Sequence, residues 1–437
     1  MKKSMKTLAL SAAILTMGAT ANAAVIDLNV YGASAQYLFW NTTAPAFLTS
    51  VRGCASTSKT ETTDKKHGIT QGIGCDGGVN TINIRYSSKA SYDGIRAVSN
   101  TDPANTCAGQ PGWRPMITGA GNTALLCQDV HVGASDVAGS TFTQNSTGAL
   151  NGPLGGAATT RTFSGIPTAG LTTYQPVVVP FGFFANNAIK VHTCAGGANA
   201  GNLCTTATAA ADCGTGTCAQ NTIDNVTREQ AVQIFSGQAF AWTDFGDSYS
   251  VAGDPTNSIV ACLRHAGSGT HATFDKVIFT GATPQFLVTA ENTAGPFIYF
   301  NDGSTEEMKC VNGNTTTATT GSAVGAIGYA DADQSVGAAG VSQNVVGIKY
   351  NGLLGRRNVV RNGLYDFFSN QWLYENPTKT TAAQHTLLTQ LNTFASNPAN
   401  IPASKAAFWA AAGEMVFNKS SDTTYPGYVG AALKQTP

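Results

Sequence analysis

Short segments in which apolar and polar residues alternate dominate the first part of the chain. They cover residues 25–31, 79–86 and 129–134, and each places its apolar side chains on one face, as a half-buried β-strand does. The first two are followed by small residues and then by helical patterns over 35–40 and 92–98. Strands that alternate with helices predict an α/β fold with mainly parallel sheets. In such sheets ligands gather at the carboxyl ends of the strands, which here are rich in Ser, Gly and Thr.

The second part of the chain contains further strand and helix patterns. A dense apolar run at 175–184 predicts a buried strand, and 325–330 predicts a shorter one. A capping box at residues 227–230 predicts the start of a helix. Near the carboxyl end, helical patterns cover three segments, 364–374, 385–395 and 405–417.

The stretch 260–270 combines an apolar strand, a Gly-Ser-Gly-Thr loop and the start of a helix over 271–279. Glycines let the backbone approach a guest closely, and the first free N–H groups of a helix attract an anion. Arg264 adds a charged fork that suits a tetrahedral oxyanion. The stretch therefore predicts an anion site, and the alternative is an ordinary Gly-rich turn beside a surface arginine.

The amino-terminal residues 1–23 have the pattern of a secretory signal. Three lysines precede an apolar run, and Ala21-Asn22-Ala23 is a small-residue cleavage site. The apolar run is too short to span a bilayer, and no cysteine follows the cleavage site to carry a lipid anchor. We expect a periplasmic or secreted protein.

The composition narrows the possible partners. Charged residues are 11% of the chain, and Lys+Arg and Asp+Glu number 25 each. A nucleic-acid-binding protein would carry a basic excess, so we expect no nucleic-acid partner. Any anion site must be local, because the overall charge does not attract anions.

The ten cysteines of an exported chain predict disulfides. Cys54 and Cys75 flank one polar loop, Cys107 and Cys127 flank another, and Cys262 and Cys310 remain to pair with each other. Two more bridges are expected within the Gly/Ala/Thr-rich insert, among Cys194, Cys204, Cys213 and Cys218. Zinc is the alternative there, but the spacings lack a pair two residues apart, so no metal is expected.

Several stretches taken together resemble the periplasmic phosphate-binding proteins of ABC importers, which have the type II periplasmic-binding fold. Gly32 to Tyr37 resembles the first ligand loop of that family, and Ser87-Ser88 resembles the second. Val132 to Asp136 resembles its Gly-Ala-Ser-Asp strand end, and Arg264 to Thr270 its arginine loop. The segments follow the family's order along most of the chain. Two departures are Gln36-Tyr37 in place of Thr-Phe, and Ala266 where the family has an aspartate that braces the arginine.

The resemblance implies an oxyanion site, and it implies the residues that form it. Asp136 is the most informative, because a carboxylate accepts a hydrogen bond from a protonated anion such as phosphate and repels sulfate. The alternative role for Asp136 is a helix cap. The implied ligand-binding residues are Ala35, Gln36, Tyr37, Ser87, Ser88, Asp136, Arg264, Ser268, Gly269 and Thr270.

The resemblance also implies the domain organisation and the function. Residues 24–175 and 345–437 are expected to form one lobe, and 176–344 the other, with the cysteine-rich insert at 192–220. The protein would capture an oxyanion, with phosphate favoured over a larger phosphate ester, without a cofactor, as a monomer that delivers its ligand to an ABC transporter. The alternative is a secreted structural or adhesive protein that has kept the fold and lost the site. A serine hydrolase using Ser268 with His265 or His271 is disfavoured, because the Gly-x-Ser-x-Gly motif is missing, so no enzyme activity is expected.

Overall fold

The computed structural model describes residues 24–99, 101–102, 107, 109–143, 145–149, 152–154, 158–280, 297–315 and 321–429. The predicted signal peptide lies outside these residues. The helices are α1 Gln36–Ser50, α2 Cys75–Gly78, α3 Ser91–Val98, α4 Ala209–Cys213, α5 Arg228–Phe235, α6 Gly269–Val277, α7 Ser304–Val311, α8 Arg357–Arg361 and α9 Ala382–Ala395. The described helices include none long and apolar enough to cross a bilayer.

The strands belong to two large sheets and several small ones. Those of the first half are β1 Ala24–Gly32, β2 Ser56–Glu61, β3 His67–Gly74, β4 Asn80–Ser88, β5 Trp113–Ile117, β6 Leu125–Asp129, β7 Val132–Ser135, β8 Asn145–Ala149, β9 Ala158–Thr162, β10 Thr172–Tyr174, β11 Val177–Asn186 and β12 Ile189–Ala195. Those of the second half are β13 Thr217–Thr222, β14 Asn225–Val226, β15 Tyr249–Val251, β16 Val260–Arg264, β17 Phe297–Asn301, β18 Ala326–Asp331, β19 Val345–Tyr350, β20 Phe368–Asn370, β21 Trp372–Glu375, β22 Ala410–Ala411, β23 Phe417–Asn418 and β24 Gly427–Tyr428.

The first large sheet has the strand order β10-β21-β7-β1-β4-β3-β2. Its centre is parallel, because β1 pairs in parallel with both β4 and β7. The carboxyl ends of these three strands therefore meet, with Gly32 opposite Ser88 on one side and Ala134 on the other. The outer pairs are antiparallel, so the sheet is mixed.

The second large sheet has the order β14-β19-β11-β18-β16-β17, and β20 and β22 also pair with β11. The apolar run that predicted a buried strand forms β11, every residue of which is buried. At one side β16 pairs in parallel with β17 and β18, so that Arg264 lies opposite Asn301 at the carboxyl ends of two strands. Around β11 the pairing is antiparallel, so parallel pairs lie at the centre of the first sheet and toward the edges of the second. The expected α/β architecture with mixed sheets and flanking helices is confirmed.

Aromatic side chains fill the core that both sheets share. Phe39 on α1 stacks on Trp409 with ring centres 5.2 Å apart, and Phe274 on α6 packs against Phe183, Tyr329 and Phe367. The predicted division at 175/176 and 344/345 stays a prediction. Three strands from the segment 345–437, which are β19, β20 and β22, pair with β11 of the second sheet, and β21 pairs with β7 of the first.

Three disulfides connect as the sequence predicts, and the insert contains the two further bridges that were expected there. Cys54 pairs with Cys75, Cys107 with Cys127 and Cys262 with Cys310, and within the insert the pairs are Cys194–Cys213 and Cys204–Cys218. Three of the insert sulfurs lie close enough together to resemble a metal site, but disulfide formation removes the thiolates that a metal needs.

Two of the predicted carboxyl-terminal helices are wrong. Residues 364–374 contain β20 and most of β21. Residues 405–417 contain turns, the short strand β22, a 3-10 turn at Ala412–Glu414 and the first residue of β23. In both segments the backbone pairs with β11 or β7 as a strand, which places the apolar side chains in the core. This long-range pairing overrides the local helical pattern. The helix predicted at 385–395 is confirmed as α9, and the predicted capping box opens α5.

Candidate functional site

The carboxyl ends of the first sheet face the start of α6. The backbone N–H of Tyr92 on α3 donates to the carbonyl of Gly267 at 3.1 Å. The ring of Phe163 stacks on His265 with centres 5.5 Å apart, and Tyr92 packs edge-on against Phe163. These contacts join the β1–β4–β7 edge to the β16–α6 loop, so the predicted residues of both segments converge on one place.

Asp136 is buried at this junction and is held by Ser91. The Ser91 hydroxyl donates to Asp136 Oδ2 at 3.0 Å and accepts the Asp136 backbone N–H, also at 3.0 Å. The second carboxylate oxygen, Oδ1, is buried without a hydrogen-bond partner. Gln371 lies near the carboxyl, but its Nε2 donates to Ser369 Oγ at 2.9 Å. The other Nε2 hydrogen of Gln371 helps to stabilise the ionised carboxyl, but Oδ1 itself accepts no hydrogen bond within the described ranges.

Burial raises the pKa of the Asp136 carboxyl to about 6. The hydrogen bond from Ser91 and the positive charge of Arg264 offset part of the rise, because both favour the ionised form. Asp136 is consequently ionised at neutral pH, but a modest fall in pH protonates it.

The first turn of α6 packs directly on this pair. Ser268, Gly269 and Thr270 are all buried, and the first turn contains no acidic residue. A Cβ at Gly269 would overlap both Ser91 Oγ and Asp136 Oδ2, so only glycine lets the helix start come this close. The free N–H groups of the helix start thus lie beside Asp136 and Ser91, as an oxyanion site requires.

Arg264 is buried next to this turn, and a different element braces it than the family pattern implies. Its Nη1 donates to Ser304 Oγ at 3.0 Å and its Nη2 donates to the carbonyl of Asp302 at 3.3 Å. Its Nε is buried without a hydrogen-bond partner. Ala266 stands where the family has an aspartate, and it belongs to an apolar cluster with Tyr92 and Phe163. The segment between β17 and α7 therefore orients the guanidinium.

The positive charge of Arg264 opposes the effect of burial on the pKa of two further acidic groups, Glu307 and Asp331. Burial raises the pKa of Glu307 to about 8 and that of Asp331 to about 7, and in both cases Arg264 partly offsets the rise. Glu307 Oε1 accepts the backbone N–H of Tyr329 at 3.1 Å. The charge of Arg264 thus acts on the buried carboxyls of Asp136 and Glu307 and on the half-buried carboxyl of Asp331 at the cleft wall.

Not all of the predicted ligand residues point toward an anion. The Gln36 side chain donates to the carbonyl of Ser135 at 3.0 Å and accepts the Trp40 indole N–H at 2.8 Å. The Tyr37 hydroxyl donates to the carbonyl of His67 at 3.0 Å, and the same histidine ring contacts Ser87 Oγ at 2.9 Å. Gln36 Nε2 also lies 3.4 Å from the carbonyl of Trp372. These three side chains are thus bonded to other parts of the protein, so we expect any ligand contact from these residues to come from the backbone. Ala35, Tyr37 and Ser88 line the adjacent cleft.

Sequence reasoning did not identify Ser91, Ser304 or Glu307. Ser91 is the first residue of α3, and a serine at a helix start beside a strand end was the available signal. Ser304 and Glu307 lie on α7, 40 and 43 positions after Arg264, and the sequence carries no signal that the first contacts the arginine or that the second lies within reach of its charge.

A polar cleft opens beside the buried site. Its volume is about 260 Å³, and its walls include Ser34 and Ser88 from the first sheet and Ser304 from the start of α7. Lys89 crosses it and pairs with Asp302 at 2.8 Å. Ser304 both lines the cleft and contacts Arg264, so the cleft leads to the arginine.

The two histidines near Ser268 have other contacts. His265 Nδ1 accepts the backbone N–H of Gly267 at 3.1 Å, and His271 Nδ1 lies 2.6 Å from the Tyr329 hydroxyl. Burial lowers the pKa of His271 to about 3, so this ring is neutral at working pH. His265 Nε2 also lies 3.7 Å from Asp302 Oδ1, so these contacts engage both rings with groups other than Ser268.

No protein-family model and no curated protein matches the sequence. Among solved structures, the chain is similar to a putative phosphate ABC transporter substrate-binding protein with bound phosphate from Clostridium perfringens (12% identity, 84% of this chain and 92% of that chain covered, TM-score 0.42). It is also similar to a phosphate-binding protein from Stenotrophomonas maltophilia (12% identity, 85% and 84% covered, TM-score 0.43). A third similar structure is a high affinity periplasmic phosphate-binding protein bound with phosphate (14% identity, 87% and 89% covered, TM-score 0.45).

Proposed function

We propose that this protein is an extracytoplasmic solute-binding protein that captures an oxyanion, and that phosphate is the oxyanion its site selects. The site would consist of Asp136 and Ser91 on one side, and of Arg264 and the 268–270 turn on the other. The observation that carries the proposal is the buried Asp136 Oδ1, an acceptor without a hydrogen-bond partner beside a helix start and an arginine.

The selection of phosphate follows from the chemistry of that acceptor. Phosphate near neutral pH carries a proton that it can donate to a carboxylate, whereas sulfate carries none. With sulfate, two buried acceptors would oppose each other, and a site built for a specific hydrogen bond rejects an analogue that lacks it. The serine hydroxyl, the guanidinium and the helix N–H groups donate to either anion, so Asp136 is the group that distinguishes them.

The delivery step is proposed from the sequence resemblance alone. A chain with this ordered set of motifs and a signal peptide would release its ligand to the membrane component of an ABC transporter. The same resemblance favours a monomer in the periplasm or in the medium.

Titration calorimetry with phosphate and with sulfate, on wild type and on Asp136→Asn, tests the proposal. We expect wild type to prefer phosphate by at least ~10³-fold. Asp136→Asn presents an amide that can donate, so it should gain sulfate binding and lose the preference. The matched control is Asp224→Asn, at an exposed carboxylate that pairs with Lys349 on the surface. Equal binding of both anions by wild type would contradict phosphate selection, and binding of neither would leave the structural or adhesive alternative.

A further inference from the structure

The cleft beside Arg264 is larger than one tetrahedral anion needs. Its volume of about 260 Å³ lies between the Ser34–Ser88 edge and the first turn of α7. Because Ser304 contacts both the cleft and Arg264 Nη1, a substituent on an anion held by Arg264 would extend past Ser304 into this space. The shape therefore accommodates an organic group attached to the oxyanion.

The walls of the cleft are polar, and most of their charges are already neutralised. Lys89 pairs with Asp302, and Lys405 pairs with Asp333. At the rim, Asp64 accepts the backbone N–H of Lys66 at 3.1 Å. Lys65 lies 3.7 Å from Glu61, and Lys66 forms no ion pair among the described residues, so carboxylates match three of the four lysines that line the cleft.

Three carboxylates that line the cleft lack an ion pair in the part of the chain that the structure describes, and one of them, Asp64, accepts instead from the Thr62 hydroxyl and the Lys66 backbone N–H. Asp331, at the end of β18, and Glu306, on the first turn of α7, both line the cleft, and within the described ranges neither forms an ion pair. Both are half-buried, so water screens them only in part. Serine hydroxyls from Ser34, Ser88 and Ser304 stand around them. Such a surface favours a guest that brings hydrogen-bond donors and a positive charge.

We propose that the ligand of this cleft is a phosphomonoester whose short organic part carries an amine, with the phosphoryl group at Asp136 and Arg264 and the ammonium between Asp331 and Glu306. The proposal rests on the proposed function, because it uses the same oxyanion site. It deepens that function by naming the class of the ligand. An ammonium there would form charge-assisted hydrogen bonds with two carboxylates that have no ion-pair partner among the residues that the structure describes.

Four probes in titration calorimetry test this inference. They are inorganic phosphate, ethyl phosphate, phosphoethanolamine and glycerol 3-phosphate. Ethyl phosphate matches phosphoethanolamine in length and lacks the amine, and glycerol 3-phosphate offers hydroxyl donors without the charge. We expect phosphoethanolamine to bind at least about tenfold more tightly than ethyl phosphate, since one partly screened ion pair of about 1.4 kcal/mol corresponds to a factor of ten.

Asp331→Asn should abolish the preference for phosphoethanolamine over ethyl phosphate, while the affinity for ethyl phosphate changes less than about threefold. Asp224→Asn is again the control on the surface. If inorganic phosphate binds and all three esters are excluded, this inference fails and the proposed function stands. If the three esters bind equally well, or if glycerol 3-phosphate binds most tightly, the proposal that the ligand carries an amine is refuted. If no probe binds, the proposed function itself fails.

Discussion

Ser91 and Asp136 form a closed pair, in which the Ser91 hydroxyl donates to the carboxylate at 3.0 Å and accepts the Asp136 backbone N–H at 3.0 Å. The serine begins α3, and the aspartate follows β7, so the pair links a helix start to a strand end. It fixes the direction of the carboxylate and leaves its other oxygen for a ligand.

The first prediction compares Ser91 with Ser87. Ser91→Ala should weaken phosphate binding by about tenfold to a hundredfold, because a hydrogen bond to a charged group contributes roughly 1.5–3 kcal/mol. Ser87→Ala is the matched control, since its hydroxyl contacts His67 instead, and we expect a change of less than about threefold. Calorimetry with phosphate measures both. Equal losses of phosphate affinity in the two variants would contradict the prediction, because Ser87, which the sequence resemblance implies as a ligand residue, would then contribute as much as Ser91.

The second prediction concerns Arg264. Arg264→Ala should weaken phosphate binding by about 2–5 kcal/mol, as expected for removal of a buried charge partner. Arg264→Lys keeps the charge and loses the fork, so it should recover only part of the affinity. Arg356→Ala is the control, because Arg356 stacks on Phe408 at 4.2 Å outside the site. An Arg264→Ala loss below about tenfold, with a normal melting curve, would place the guanidinium outside the ligand contacts.

The sequence was sufficient for the parts of the site that lie within one local unit. Strand β16, its glycine loop and α6 follow from periodicity and turn chemistry over consecutive residues. Asp136 was identified through the resemblance of Val132 to Asp136 to the Gly-Ala-Ser-Asp strand end of the phosphate-binding family. The choice among three serines at 87, 88 and 91 was not local, since β3 supplies the His67 that engages Ser87.

The residue that orients the Arg264 side chain could not be predicted either, because it is also distant in the sequence. The family pattern places this residue two positions away, whereas here it is Ser304, 40 positions along the chain. The same limit explains the carboxyl-terminal errors. The aromatic pair Phe367 and Phe368 fits a helical pattern, but β11 was available as a sheet partner for 368–370.

The third prediction concerns the disulfide between Cys262 and Cys310. Cys262 lies two residues before Arg264 on β16, and Cys310 lies on α7, whose first residue accepts a hydrogen bond from that arginine. Replacing both cysteines by alanine should destabilise the protein by roughly 2–4 kcal/mol and also weaken phosphate binding. Replacing Cys204 and Cys218 in the insert should affect stability without changing the affinity.

Melting curves and calorimetry on the two double variants separate these effects. Phosphate affinity that is unchanged in the Cys262/Cys310 variant would show that β16 and α7 hold their positions without the bridge. A loss of affinity in the Cys204/Cys218 variant would instead connect the insert to the site.

The last prediction concerns the pH dependence of stability that Glu307 imposes. Burial raises its pKa from 4.5 to about 8, so between these values the folded protein holds a proton that the unfolded chain has released. The contribution of this group to the free energy of unfolding is therefore fully present below pH 4.5. It falls as the pH rises toward 8, by about 1.4 kcal/mol per pH unit. Asp331 contributes in the same direction up to its pKa of about 7.

Lys419 acts in the opposite direction, because burial lowers its pKa to about 7 and its folded form loses a proton that the unfolded chain keeps. Because Lys419 is present in both wild type and Glu307→Gln, its contribution cancels in the difference between their free energies of unfolding. Glu307→Gln should gain stability relative to wild type by about 1–2 kcal/mol between pH 6.5 and 8, because the amide never ionises. Urea unfolding at several pH values without added anions measures the difference, with Asp224→Asn as the control that should run parallel to wild type. A constant difference between Glu307→Gln and wild type across that range would mean that the carboxyl is already ionised at pH 6.5, and that Arg264 neutralises it more fully than the buried geometry implies.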